Sequence, residues 1–270
     1  MPELPEVRCV AKVLKKNILN KKIIGINIIY KNMIESDSLD FNLLLNKKIE
    51  DIFTYGKYLI FKVEDIFLVS HLRMEGKYFL KKNDDEILKH EHIIFDLEDN
   101  VSLRYHDTRK FGKMVLTRDY KNYKSIKKLG LEPFDKNISV SYVMDKIKGK
   151  NITIKELLLD QSIIAGLGNI YANEVLYASK IYPCRCGKDI SDIDVKNILD
   201  SSKEILNLAI KEGGTTIKSY TSSLGVIGNY QNFLKVHKRD GEKCFLCNDI
   251  ILKIRVGGRS TYYCPSCQKK

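Results

Sequence analysis

The chain reads as an α+β protein in two parts: a β-rich first half behind an opening helix, and a helical second half that ends in a metal-pinned hairpin. Three observations predict this. Short β-branched and aromatic runs separated by turn residues fill the first half, helical periodicity takes over from Val140, and two Cys-x-x-Cys knuckles close the chain.

The elements follow in order. Leu4, Val7, Val10, Val13 and Leu14 recur at helical spacing behind Pro2 and Pro5, which suit a helix start. Lys22 to Tyr30, Ile49 to Thr54, Tyr58 to Val63, Phe67 to Leu72, Lys77 to Leu80, His92 to Leu97, Ser102 to Tyr105 and Met114 to Thr117 then read as short strands, and their regular spacing suits a sandwich or a barrel. Between Arg118 and Ser139 the chain is lysine-rich, with Gly130 and Pro133, and reads as a crossing between domains. Ile154 to Leu159, Ile170 to Ala178 and Val195 to Ile210 are expected helices, the last ending at Gly213-Gly214. The expected domains are 1–130, 131–235 and 236–270.

Composition narrows the function classes. With 270 residues, 44% of them hydrophobic, the chain can bury a real core, and no apolar run is long enough to span a membrane. The first residues lack the layout of a secretory signal, which predicts a cytoplasmic, reducing location. Lys and Arg outnumber Asp and Glu by 46 to 34, a formal charge of +12, with both signs interspersed. A folded polyanion binder fits this; a disordered basic arm does not.

Seven cysteines in a reducing compartment need a use other than disulfides. Cys244-x-x-Cys247 and Cys264-x-x-Cys267, with sixteen residues between the knuckles, can set four thiolates around one zinc ion and leave no open position, so the expected site is structural. Between them, Ile250 to Val256 and Ser260 to Tyr263 flank Gly257-Gly258-Arg259, a hairpin with Arg259 at or near its tip. Cys184-Arg-Cys186, with one intervening residue, chelates poorly and with Cys9 reads as free thiol. Gly166 and Gly168 allow a tight double turn between two helices, exposing backbone N–H groups to an anion, with Asn169 as a side-chain donor.

The amino terminus carries its own chemistry. Removal of Met1 exposes a proline secondary amine beside the Glu3 carboxylate. An α-amino group titrates at about 7.7–8.0, so a useful fraction is nucleophilic near neutrality, and a secondary amine condenses with an aldehyde to a cationic iminium that serves as an electron sink.

Six segments in order, Pro2-Glu3-Leu4-Pro5-Glu6-Val7, Gly56-Lys57-Tyr58, His71 to Gly76, Asp107 to Gly112, Gln161 to Glu174 and the hairpin with Gly258-Arg259-Ser260-Thr261, resemble the bacterial formamidopyrimidine-DNA glycosylase family over essentially the whole chain. The resemblance implies an N-terminal β-sandwich, a helix-two-turn-helix domain with a zinc finger, a cleft for duplex DNA containing oxidised bases or abasic sites, and a cytoplasmic monomer. It also implies excision of oxidised purines followed by strand cleavage. Residue by residue, it casts Pro2 as nucleophile, Glu3 as proton donor or relay and Lys57 as a charged contact near the lesion. Met74, Arg109 and Phe111 become the residues that fill the void left by the flipped nucleotide, and His71, Asn169 and Arg259 become phosphate contacts. Glu6 matches a position near the active site, and Ser219 to Tyr230 matches a loop over the extruded base. One departure stands out: His237-Lys238-Arg239-Asp240-Gly241 lies where the family commonly has tyrosine and glycine before the arginine, which puts local loop geometry in doubt rather than catalysis.

Two other readings compete. An endonuclease VIII-like glycosylase shares the fold, zinc finger and proline but prefers oxidised pyrimidines; Leu4 with Met74, Arg109 and Phe111 favours the purine branch. A zinc-stabilised damage-binding protein without activity has no need of Pro2 and Glu3.

Overall fold

The computed structural model describes residues 1–215 and 228–269. The chain forms two compact units. One holds Met1–Lys127 with the described residues of Gly213–Asn229; the other holds Lys128–Glu212 with the described residues of Tyr230–Lys270. Most of the loop expected at Ser219 to Tyr230 lies outside the described residues.

In the first unit, helix α1 (Leu4–Ile18) precedes eight strands: β1 (Ile23–Ile28), β2 (Ile49–Tyr55), β3 (Tyr58–Val63), β4 (Ile66–His71), β5 (Lys77–Lys81), β6 (Glu91–Leu97), β7 (Val101–His106) and β8 (Lys113–Thr117). They pair as two antiparallel four-stranded sheets, β1-β6-β7-β5 and β2-β3-β4-β8. The sheets share one core in which Phe95, Leu103 and Tyr105 of the first meet Phe61, Leu68 and Leu116 of the second, closed by Val7, Val10 and Leu14 of α1. This is a β-sandwich, and of the two closures that regular strand spacing allows it keeps the open one.

The lysine-rich stretch after Arg118 is more than a crossing. A short helix α2 (Lys124–Lys127) lies there, and Tyr123 and Ile126 cover Ile60, Val69 and Val115 on the outer face of the second sheet. The lysines disguise three apolar anchors, Tyr120, Tyr123 and Ile126, spaced to land on that face.

In the second unit, α3 (Val140–Ile147), α4 (Ile154–Leu159), α5 (Asn169–Ala178) and α6 (Asp192–Lys211) bury Leu157, Leu167, Tyr171, Val175, Ile198 and Leu206 in one helical core. Helix α4 opens on a Thr153–Glu156 capping box and α6 on a Ser191–Asp194 one. The hairpin β9 (Leu252–Val256) and β10 (Arg259–Tyr263) follows in antiparallel register. No helix among the described residues is long and apolar enough to cross a membrane.

Candidate functional site

The amino terminus is held by a cap. Glu6 accepts the Glu3 backbone N–H with Oε2 at 2.9 Å, the helix-capping role expected of a first-turn acid. Its other oxygen, Oε1, accepts the Thr215 N–H at 2.9 Å and the Thr215 hydroxyl at 3.0 Å. One carboxylate therefore joins the terminus to a segment far along the chain. Gly214, at φ +79, passes so near that a Cβ there would stand 2.9 Å from Oε1. Pro2 is buried, and Glu3 and Glu6 are only 2% and 5% exposed.

Charge surrounds the terminal amine. For the Met1 α-amine, which precedes Pro2 in the unprocessed chain, burial pushes the pKa below that of a free terminus, the Glu3 and Glu6 carboxylates pull it back up, and the Lys57 ammonium pushes it down again. Lys57 sits at the tip of the β2–β3 hairpin, where Gly56 at φ +57 turns the chain and Tyr55 pairs with Tyr58. A lysine at such a tip normally faces water; this one is 6% exposed.

His71, at the end of β4, is buried against Tyr58, with ring centroids 4.7 Å apart. Its Nδ1 accepts the Arg73 N–H at 2.9 Å, so in the neutral ring the proton sits on Nε2, a donor suited to a phosphate oxygen. Burial, with Arg73 and Lys57 nearby, pushes its pKa down to about 3. Met74 follows on the β4–β5 loop, half-buried, while Arg109 and the half-exposed Phe111 stand on the β7–β8 loop with the guanidinium 4.7 Å above the ring. Pro2, Glu3, Lys57, His71, Met74, Arg109 and Phe111 thus all fall in the first unit.

In the second unit the double turn before α5 is stapled by Gln161. Its Nε2 donates to the carbonyls of Leu159 and Leu167 at 3.0 and 2.7 Å, and its Oε1 accepts the Gly166 N–H at 2.9 Å, with Gly166 at φ +101. Asn169 opens the helix, and its Nδ2 donates to the Ser260 carbonyl at 3.0 Å, which ties the turn to the hairpin. Behind it Lys155, fully buried, donates to the Asn169 carbonyl at 3.2 Å and to Asn173 Oδ1 at 2.6 Å, and Asn173 Nδ2 lies 2.8 Å from His237 Nδ1. Glu174 accepts the backbone N–H groups of Lys235, Val236 and His237 at 2.8, 3.1 and 2.8 Å. The departure at His237 is thereby absorbed into a buried network.

The hairpin turns on Gly257 and Gly258, both at positive φ, between the paired residues Val256 and Arg259. Such a two-residue turn needs left-handed backbone at both centres, which glycine supplies. Arg259 is exposed beside it. The four cysteine sulfurs lie within 4.8 Å of one another, with Cys244–Cys267, Cys247–Cys264 and Cys247–Cys267 at 3.8, 3.4 and 3.5 Å. A zinc ion with Zn–S bonds of about 2.3 Å gives tetrahedral edges of about 3.8 Å, so the thiolates fit one structural zinc. Gln268 locks the second knuckle to the helices, accepting from Cys264 N and donating to the Ile181 carbonyl, both at 2.9 Å.

Sequence reasoning quoted Gln161 and Glu174 only as parts of a motif and did not reach Lys155 or Thr215. A lone lysine or threonine carries no local signal of burial; their partners come from other elements.

Known proteins agree with this anatomy along the whole chain. Residues 1–114 match the formamidopyrimidine-DNA glycosylase N-terminal domain, 129–221 the helix-two-turn-helix domain of the same enzymes, and 241–270 the zinc finger found in them and in an isoleucyl-tRNA synthetase. The formamidopyrimidine-DNA glycosylase of Ligilactobacillus salivarius is 44% identical over 99% of both chains, and that of Listeria innocua 40% over 100% of both. The solved complex of the Lactococcus lactis enzyme with DNA containing an abasic site is 41% identical, with a TM-score of 0.92 over 99% of this chain and 100% of that one. A capped amino terminus on a β-sandwich, a glycine double turn and a four-cysteine hairpin, matched end to end at this identity, make the chain a member of the formamidopyrimidine-DNA glycosylase family.

Proposed function

We propose that this protein is a bifunctional DNA glycosylase and abasic-site lyase of base excision repair, which removes oxidised purines such as 8-oxoguanine and formamidopyrimidines from duplex DNA. The observation that carries the reading is the buried amino terminus, where Pro2 lies beside the buried Glu3 and the Glu6 carboxylate caps the Glu3 N–H at 2.9 Å. The Lactococcus lactis relative has been solved with abasic-site DNA and, at 41% identity, with N7-benzyl-Fapy-dG DNA.

A base inside a duplex shields its C1′, so the damaged nucleotide is first flipped out at a cost of roughly a few kcal/mol. Met74 wedges into the gap, Arg109 pairs with the orphaned base and Phe111 stacks on its neighbours. His71, Asn169 and Arg259 hold backbone phosphates, and Lys57 adds charge near the lesion. With Met1 removed, the Pro2 nitrogen attacks C1′ as the C1′–N bond to the base breaks. Glu3 protonates the ring oxygen as the sugar opens, leaving a cationic iminium between Pro2 and C1′. That cation acidifies the C2′ proton, whose loss expels the 3′ phosphate; a second elimination expels the 5′ phosphate. Cys244, Cys247, Cys264 and Cys267 would hold one structural zinc ion, which would keep the hairpin folded.

The division 1–130, 131–235 and 236–270 belongs to the same proposal, supported by the positions of the three family matches. So does a cytoplasmic location with nucleoid DNA as substrate.

Borohydride trapping on a duplex carrying 8-oxoguanine opposite cytosine, with intact-mass measurement of the amino terminus, tests the mechanism. Processed protein should trap covalently, and a form that retains Met1 should trap at least about 1,000-fold more slowly, because its Pro2 nitrogen is an amide. No adduct from fully processed protein sinks the mechanism, and preference for thymine glycol over 8-oxoguanine sinks the substrate class.

A further inference from the structure

Strands β4 and β8 are neighbours in one sheet and β5 and β7 in the other, with His71 paired to Lys113 and Lys77 to His106. The loops Leu72–Gly76 and Asp107–Gly112 therefore leave the same end of the sandwich and cross between the sheets side by side. They carry Met74 on one and Arg109 with Phe111 on the other.

Three contacts join or brace them. Tyr105, fully buried at the end of β7, points its hydroxyl between the two backbones: a Cβ added at either Gly76 or Gly112 would overlap that oxygen. The Thr108 hydroxyl donates to the Glu75 carboxylate, loop to loop. The Asp107 carboxylate, fully buried, accepts the N–H groups of Arg109 at 3.0 Å and Gly112 at 2.8 Å, which fixes the second loop's curvature.

We infer that Tyr105, seated between Gly76 and Gly112, and the Glu75–Thr108 hydrogen bond bind the Met74 loop and the Arg109–Phe111 loop into one inserting unit, so that Glu75, Thr108 and Tyr105 are positioning residues for reading the base opposite the lesion. The inference rests on the void-filling roles proposed above for Met74, Arg109 and Phe111. If the loops moved independently, Met74 could wedge open a duplex before Arg109 reached the orphaned base, and discrimination of that base would be lost. Joined loops present wedge and reader together. Glu75 also lies within the field of the Met1 amine and so near the amino terminus, and neutralising its charge must be separated from breaking the clasp.

The test uses full-length processed protein in single-turnover excision of 8-oxoguanine opposite cytosine and opposite adenine, with 2-aminopurine beside the lesion to report insertion. Thr108 is exposed, so Thr108→Val should fold and melt as the wild type. It should narrow the cytosine-to-adenine preference about 5-fold, the factor carried by one modest hydrogen bond. Tyr105→Phe should act in the same direction. Thr108→Ser, which keeps the donor, and Glu75→Gln, which keeps an acceptor without the charge, should retain the preference. Met74→Ala and Arg109→Ala serve as controls. If those controls change the preference and the 2-aminopurine signal while Thr108→Val and Tyr105→Phe change neither, the coupling is wrong and the void-filling roles stand. If the controls too leave both readouts unaltered, the void-filling roles fail and the coupling falls with them.

Discussion

The zinc hairpin and the amino-terminal cluster build functional geometry by opposite routes. The hairpin gathers its four ligands within 23 positions, and each knuckle is a local turn in which the cysteine spacing is itself the geometry. At the terminus the deciding bonds run from Glu6 to Thr215, across 209 positions, and an ordinary carboxylate gains its role only because the sandwich buries it. Metal ligation writes itself into spacing; a buried charge network is assembled by tertiary structure. The first should therefore fail as a unit when one ligand is lost, and the second should degrade in steps.

The largest effect tests the hairpin. Cys247→Ala should release zinc and lower affinity for duplex DNA by about 100-fold, because metal binding and folding of a small knuckle are one equilibrium. The sandwich contributes none of these ligands, so trapping at saturating DNA should stay within a few-fold of wild type. Metal-free protein that binds a tetrahydrofuran duplex as tightly as the holoprotein would remove the hairpin from DNA binding altogether.

A smaller, graded response tests the terminus. Glu6 accepts on both oxygens, so Glu6→Gln turns one acceptor into a donor facing either the Glu3 or the Thr215 N–H. That mismatch should slow single-turnover trapping by about 10-fold with little change in Kd for DNA, since an unsatisfied buried donor costs on the order of 1–3 kcal/mol. Thr215→Val deletes only the hydroxyl bond and should slow trapping less, by about 3-fold. A loss from Glu6→Gln with none from Thr215→Val would show that the carboxylate's charge, and not its two-sided cap, does the positioning.

The same contrast explains what could be read without coordinates. All eight strands, α1, α4 to α6 and the hairpin were legible, because β-branched and aromatic runs, helical periodicity, a proline start and Gly-Gly turns are local signals. Helix α2 was hidden because lysines surround its few apolar anchors. The zinc ligands were legible in full. Pro2 and Glu3 suggested chemistry alone, but their partners were not legible: nothing near Thr215 marks it as a ligand of Glu6, and Lys155 resembles any exposed helix lysine until Asn173 and the Asn169 carbonyl close around it. Lys57 misleads most, since a hairpin-tip lysine that is 6% exposed contradicts what its position suggests.

The smallest effect compares the two units through one buried histidine in each. Burial pushes His71 to about 3, helped by Arg73 and Lys57, and His237 to about 4, helped by Lys155 and Lys238. Both values lie below the roughly 6.5 of an unfolded histidine, so between those limits the unfolded chain binds more protons than the folded one. Stability from each neutral ring is therefore complete above about pH 6.5 and is lost as the pH falls toward the folded value. At pH 5.5 each ring should withhold about 1 kcal/mol relative to pH 7.5. Thermal melts across that range should show His71→Gln and His237→Gln each flattening the acid slope, whatever their effect at pH 7.5. Because the rings sit in different units, the two changes should add in the double variant. A slope that either single variant abolishes entirely would mean that acid stability is governed by one unit alone, and that the two halves are less alike in this respect than their buried rings suggest.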